Sequence, residues 1–307
     1  MSSSHRHRTL ACLPALVLAV STASPAPASA ATSVTDLGKP TNARPQNAYF
    51  PAGYFQRKGP VLRSHGKPEL LFMGTQVDGQ SAAERWALVK ALGQFGTLSG
   101  VSSLRQPICS LSTQGGTTAP QCYPLNGTYE GKTYQWGVAT FDLRKAAYAS
   151  RYLAFVDVEL IDKDAHALPT GRLSATESTL FHRYLFQTAI GASAISPFWQ
   201  AVGSGQTKMP MVDVGGFVET GTNVVPPIDL VGPNANGAVG DSPWVPFTVI
   251  QHSLQTGRLT SQEVPTLLND FNAEANVITA VICRADGGKP ASVCARPVIK
   301  FMLKHIK

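Results

Sequence analysis

The apolar run Leu70 to Met73, bounded by Pro68 and Gly74, has the unbroken hydrophobicity of a strand covered on both faces. A short turn follows, and the pattern then changes period. Ser81-Ala82-Ala83-Glu84 fits a capping box, in which Ser81 accepts from backbone amides and Glu84 reaches back. Leu88, Leu92 and Phe95 recur at helical spacing and should face the sheet, with Trp86 and Val89 beside them, before Gly96 stops the helix. Trp86 reads as core packing. Val138 to Leu143 and Tyr152 to Leu160 read as strands, the second half-exposed, with Phe155, Asp157 and Glu159 alternating against Val156, Val158 and Leu160. Ser174-Ala175-Thr176-Glu177 is a second capping box, opening a helix through about Ala189. Pro197, Phe198 and Trp199 suggest a bend packed on the core.

Met209 to Val214 reads as a strand opened by Pro210, followed by a Gly215-Gly216 hairpin and a second strand at Phe217-Val218. Residues 224–243 are turn-rich. The C-terminal part is helical: Thr260 to Glu263 supplies a cap, Pro265 falls in the first turn, and Val264, Leu267, Leu268, Phe271, Ile278 and Val281 keep one face. Residues 105–135 are Gly-, Thr- and Pro-rich and read as a surface excursion, a candidate binding loop. Residues 31–52 lack apolar periodicity and read as a flexible tether, ordered structure beginning near Tyr54-Phe55.

The first thirty residues have the make-up of an export signal. His5 to Arg8 is basic, Leu10 to Val20 is an apolar core, and Ala28-Ser29-Ala30 offers small residues for cleavage near Ala30. The remainder, 31–307, should then be extracytoplasmic, with no transmembrane segment in the mature chain. The organisation expected is a signal at 1–30, the tether at 31–52, and a single domain over 53–307. Losing Arg6 and Arg8 with the leader leaves 24 basic and 19 acidic residues, a net charge of +5. That mild, scattered excess, without an Arg/Lys run, argues against nucleic acid as a partner.

Four cysteines lie beyond the leader: Cys109, Cys122, Cys283 and Cys294. An even number in an exported chain favours disulfides. Three pairings are possible. Cys109 with Cys122 and Cys283 with Cys294 is preferred, because each pair brackets a short polar loop. The spacings are too wide for a zinc knuckle and no histidine clusters with them, so no metal site is expected.

Gly66-Lys67-Pro68-Glu69 with Leu70 to Gly74, then Ala82-Ala83-Glu84-Arg85-Trp86-Ala87-Leu88-Val89 and Phe95-Gly96-Thr97, resembles domain-of-unknown-function family 929, a thioredoxin-like group. Later blocks match as well: Tyr152 to Glu159, Pro210 to Gly215, Ile278 to Cys283, and Pro290 to Cys294. The resemblance spans roughly residues 60–295. It implies an α/β fold, a thioredoxin-like central mixed sheet flanked by helices with loop and helical insertions, and a cis peptide before Pro210. Members of the family carry Cys-Pro-Tyr-Cys just before the Ala-Ala-Glu-Arg-Trp run. Here Asp78-Gly79-Gln80-Ser81 stands in that place, so Asp78 and Ser81 replace both sulfurs and, with Pro210, mark a degenerate redox site.

A thiol at a helix start is activated because the helix dipole favours its anion. A carboxylate at Asp78 gains the same stabilisation and becomes a cap. Serine hydrolysis finds no support: Gly191-Ala192-Ser193-Ala194 and Val202-Gly203-Ser204-Gly205 each lack one glycine of a nucleophile elbow, and His65, just before the first strand, is not fixed near Ser81. No phosphate-cradling glycine loop, His-Glu-x-x-His pair or calcium loop occurs, and no cofactor is expected. Asp157, Glu159, Asp162 and Asp164 read as a solvated strand end, with a weak metal site as the alternative. The function expected is a non-catalytic binding or chaperone-like module of the bacterial cell envelope, a pseudoenzyme docking an extended peptide or envelope protein. The alternative is thiol–disulfide exchange at Cys283 and Cys294.

Overall fold

The computed structural model describes residues 33–45, 55–107, 109–114, 117–122, 126–129, 132–135, 137–164, 166, 173–185, 209–221, 245–260 and 265–306. The expected signal at 1–30, the bend around Pro197 to Trp199, the 224–243 loop and the 261–263 cap lie outside these residues.

The strand expected at Leu70 is β3 (Lys67–Gly74), buried on both faces at the centre of a mixed sheet. Its neighbours are β12 (Ala154–Glu159), parallel, and β13 (Met211–Val214), antiparallel. The antiparallel β14 (Phe217–Thr220) follows, then β1 (Gln56–Arg57) at the edge, while β2 (Arg63–Ser64) folds back on the start of β3. The β13–β14 turn has Gly215 and Gly216 at φ 59° and 94°. Two consecutive positive φ values make a turn whose twist matches the strands it joins, and only glycine adopts both without strain. Asp213 Oδ1 accepts the Gly216 amide at 2.7 Å and fixes it.

Alternation along these strands divides the core into two layers. Leu70, Phe72, Val212 and Phe217 face α1 (Gly79–Leu92) and a long later helix, Leu267–Ala285; Leu71, Met73, Met211 and Val218 face α2 (Ala175–Leu180) and the π turn Phe181–Leu185. The Ser174–Glu177 capping box forms in both directions, with Ser174 Oγ accepting the Glu177 amide and Glu177 Oε2 accepting the Ser174 amide. Between the sheet and the C-terminus lie α3 (Phe247–Thr256), α4 (Leu267–Ala285), α5 (Ala291–Cys294) and α6 (Pro297–Leu303). Because α4 starts at Leu267, Pro265 precedes it instead of occupying its first turn, as the sequence had suggested.

Two further expectations change. Residues 105–135 are not a plain loop: β6 (Cys109–Gln114) pairs with β7 (Thr117–Cys122), and β8 (Asn126–Tyr129) with β9 (Lys132–Gln135). These hairpins extend from the pair formed by β5 (Ser102–Gln106) and β10 (Val138–Asp142), and the register sets Cys109 opposite Cys122. A smaller pair joins β4 (Thr97–Ser99) to β11 (Ala147–Ala149). Residues 33–45, read as part of a tether, form a strap: Leu37 is buried, Asn276 donates to the Thr41 and Ala43 carbonyls, and the Arg44 guanidinium lies 4.1 Å from the Phe301 ring centre. Side chains of α3 and α4 satisfy its backbone, which composition alone does not reveal. Helix α1 is enclosed nearly all round. The sheet, α4, β10 and the strap surround it, and every residue of it except Gln80 is buried.

Trp86 anchors this helix as core, with Nε1 donating to the Ala139 carbonyl at 2.9 Å and Phe141 and Phe247 each 4.7 Å away between ring centres. Trp86→Ala should therefore cost about 3–5 kcal/mol through cavity formation and a lost partner for Ala139. Chemical denaturation checks this. A loss below about 1 kcal/mol would place the indole outside the core.

Candidate functional site

The turn after β3 delivers Asp78 to the first position before α1. Its Oδ1 accepts the Gln80 and Ser81 amides at 2.8 and 3.1 Å, satisfying two of the four donors a helix start leaves open. The cap is thus Asp78, and the Ser81–Glu84 box expected from sequence does not form. The helix begins three residues earlier, which puts Ser81 inside the first turn and Glu84 on its buried side. Ser81 Oγ instead donates to Asp78 Oδ2 and accepts the Thr75 amide at 3.1 Å, while Thr75 Oγ1 donates to Asp78 Oδ2 at 2.8 Å. Asp78 and Ser81 are thus both spent on closing the turn.

Arg85, fully buried one turn further along, ties this cap to the sheet. Its guanidinium bonds both oxygens of Glu159 on β12 (2.5 to 3.0 Å), the Thr75 carbonyl (2.9 Å) and Gln106 Oε1 on β5 (3.1 Å). Gln106 Nε2 then donates to the Asp78 carbonyl at 2.6 Å, and the guanidinium sits 5.3 Å from the Phe72 ring centre. Asp157 and Glu159 are therefore not a solvated strand end. Burial, then the neighbouring Glu159 charge, pushes the Asp157 carboxyl well above the usual range; burial also raises Glu159, against the opposing pull of Arg85. Asp162 and Asp164 stay at the surface with His166 and Lys163. Among the described residues no group of histidine, cysteine or acidic side chains is arranged to hold a metal ion.

Pro210 belongs to the same end of the sheet. The β13–β3 register pairs Met211 with Met73, so one step further Pro210 stands level with Gly74, at the mouth of the turn, and the Met209–Pro210 peptide is cis. His65 does not approach. It lies in the β2–β3 turn, seven strand steps, or roughly 23 Å, from Gly74. Cys283 and Cys294 form a disulfide with Cα atoms 5.6 Å apart, and both are buried, at 2% and 5% exposure, which shields the sulfurs from a partner thiol.

The sequence reading missed a second set of acids. Glu84 on α1 and Glu274 on α4 are fully buried, and among the described residues no oxygen of either carboxyl has a hydrogen-bond partner. Burial raises both well above the ordinary glutamate value, and the nearby Glu219 on β14 raises them further. Asp213, buried on the opposite face of the sheet, is pushed up to about 7 by burial despite its bond from Gly216. A cleft of about 330 Å³ beneath the strap, lined by Leu37, Lys90, Gln94 and Arg296, lies at the far end of α1, about 20 Å from Asp78, and does not serve the turn. Burial lowers the Lys90 ammonium there to about 8, and it donates to the Leu37 carbonyl. Comparison with protein-family models, curated proteins and solved structures finds no match.

Asp78→Ala should cost about 1–2 kcal/mol, the value of a helix cap, whereas Asp78→Asn should lose much less; equal losses in urea denaturation would show that charge, not capping, is what matters. Glu159→Gln leaves the Arg85 charge buried with a weaker partner and should cost about 3 kcal/mol, with near-neutral behaviour contradicting the clamp. The raised acids also fix a pH dependence. Between its unfolded and its higher folded pKa, such a group holds a proton only in the folded chain, so stability falls as pH rises. The urea midpoint should drop from pH 5 to pH 7.5, and Glu84→Gln with Glu274→Gln should flatten the drop. Above pH 8 the lowered Lys90 acts in the opposite sense, so the window ends there.

Proposed function

We propose that this chain is an exported, thioredoxin-like protein in which the redox turn has become a non-catalytic surface for docking an extended peptide or an envelope protein, in a binding or chaperone-like role. The carrying observation is that α1 opens directly from the central strand on Asp78-Gly79-Gln80-Ser81, where the Asp78 and Ser81 side chains bond each other and the local backbone. The strand order β14-β13-β3-β12, with β3 parallel to β12 and antiparallel to β13, supports the thioredoxin-like reading. So does the placing of Pro210 beside the turn, and so does the similarity of the Pro68–Trp86 block to domain-of-unknown-function family 929. Export rests on the basic, then apolar, then small-residue pattern of the first thirty residues. Among the described residues no helix is long and apolar enough to cross a membrane.

With no sulfur at the helix start there is no thiolate to attack a disulfide and no resolving thiol to release the mixed intermediate. What the end of the sheet offers instead is a fixed cap at Asp78, with Pro210 level with the turn. Exchange at Cys283 and Cys294 is the weaker reading, because both residues are buried.

The purified chain should fail to accelerate reduction of insulin by dithiothreitol. Installing Asp78→Cys together with Ser81→Cys should create that activity, because the helix end that now holds a carboxylate would stabilise a thiolate. Turnover by the unaltered chain at thioredoxin-like rates would overturn the proposal. So would an inert double variant that is folded and carries free thiols.

A further inference from the structure

The end of the sheet opposite Asp78 carries an electrostatic feature that the proposed docking role does not use. A groove of about 460 Å³ opens between the start of β3, the residues leading into β12 and the end of α4, lined by Arg63, Lys67, Arg151, Arg284 and Lys289 with Asp286 as the single acid. Five cations face one carboxylate. Lys67 Nζ donates to the Ser150 carbonyl at 2.8 Å, Arg63 Nη1 to the Gly66 carbonyl at 3.0 Å, and Arg284 Nη2 to the Leu303 and Ile306 carbonyls at 2.8 and 3.0 Å. Arg151 lies 5.2 Å from the Tyr152 ring centre. These partners hold the side chains in place and leave their charge uncompensated. The five cations are absent from the salt bridges found among the described residues.

The lone acid is turned to other work. Asp286 Oδ1 accepts the Gly288 and Lys289 amides at 3.0 and 2.9 Å, shaping the turn that presents Lys289. That turn sits in the loop closed by the Cys283–Cys294 disulfide, so the rim of the groove is covalently fixed. A concave site with several immobilised cations and no matching acids favours a compact ligand of high negative charge, since each cation can donate without first surrendering a carboxylate. Guanidinium groups suit phosphate oxygens, which they can engage in pairs.

We propose that this groove is a binding site for a phosphate-bearing anion carrying two or more negative charges, either a soluble phosphate compound or the headgroup of an anionic lipid. Nothing in this assignment depends on the thioredoxin-like reading of the other end of the sheet.

Inorganic pyrophosphate is the probe for the soluble source, and vesicles of phosphatidylglycerol in phosphatidylcholine are the probe for the lipid source. By titration calorimetry at low ionic strength the full chain should bind pyrophosphate with a dissociation constant of about 1 mM or tighter, weakening as salt is added. Arg151→Gln with Lys289→Gln, both exposed, should weaken binding about tenfold or more with an unchanged melting temperature. If that pair perturbs folding, Lys289→Glu alone gives the same reading. Vesicle binding displaced by pyrophosphate assigns the phosphate to a lipid, and pyrophosphate binding without vesicle binding assigns it to a soluble compound. Absence of both, or binding that the folded variants leave unchanged, overturns the site.

Discussion

The Arg85 guanidinium is the contact on which the Asp78 end of the sheet depends. One side chain joins α1 to the parallel strand through Glu159, to the β3–α1 turn through the Thr75 carbonyl, and to the β5–β10 ribbon through Gln106. Gln106 passes the connection on to the Asp78 carbonyl. A charge buried this deeply is tolerated only when nearly every donor is matched, which is why so many elements converge on it. Remove the ion and the helix start, the strand end and the ribbon lose their shared partner.

This arrangement explains how Asp78 and Ser81 hold the turn closed. A helix opening needs its amides satisfied and favours a negative group. Asp78 supplies both, and Ser81 closes the remaining gap by bonding Asp78 and the Thr75 amide. The acids elsewhere in the core have no such compensation. Among the described residues Glu84 and Glu274 have no hydrogen-bond partners, and burial raises the pKa of both, which favours their neutral form. The molecule therefore contains two kinds of buried acid, one held by a cation and one kept neutral.

The central strand, the glycine hairpin and the Ser174 box were legible in the sequence, because each depends on residues within a few positions of one another. Leu70 to Met73 announces burial on both faces by its unbroken apolarity, and Gly215-Gly216 announces a turn that needs two positive φ values. The start of α1 was misplaced because Ser81 and Glu84 satisfy the local rule for a cap while Asp78, three residues earlier, satisfies it better. Burial of Glu159 was hidden because its partner Arg85 lies some seventy residues away in the chain, and polar side chains at that separation carry no periodicity signal. The strap was hidden for the same reason, its backbone being satisfied by Gln251 and Asn276 from the distant α3 and α4.

The clamp is tested most directly by a double-mutant cycle on Arg85→Met and Glu159→Met, with each variant's unfolding free energy measured in urea. The account predicts that either change alone is strongly destabilising and that the pair together is far less so than their sum, giving a coupling on the order of 2–3 kcal/mol. Additive losses would contradict it, because they would mean that the two charges do not hold the helix start to the sheet.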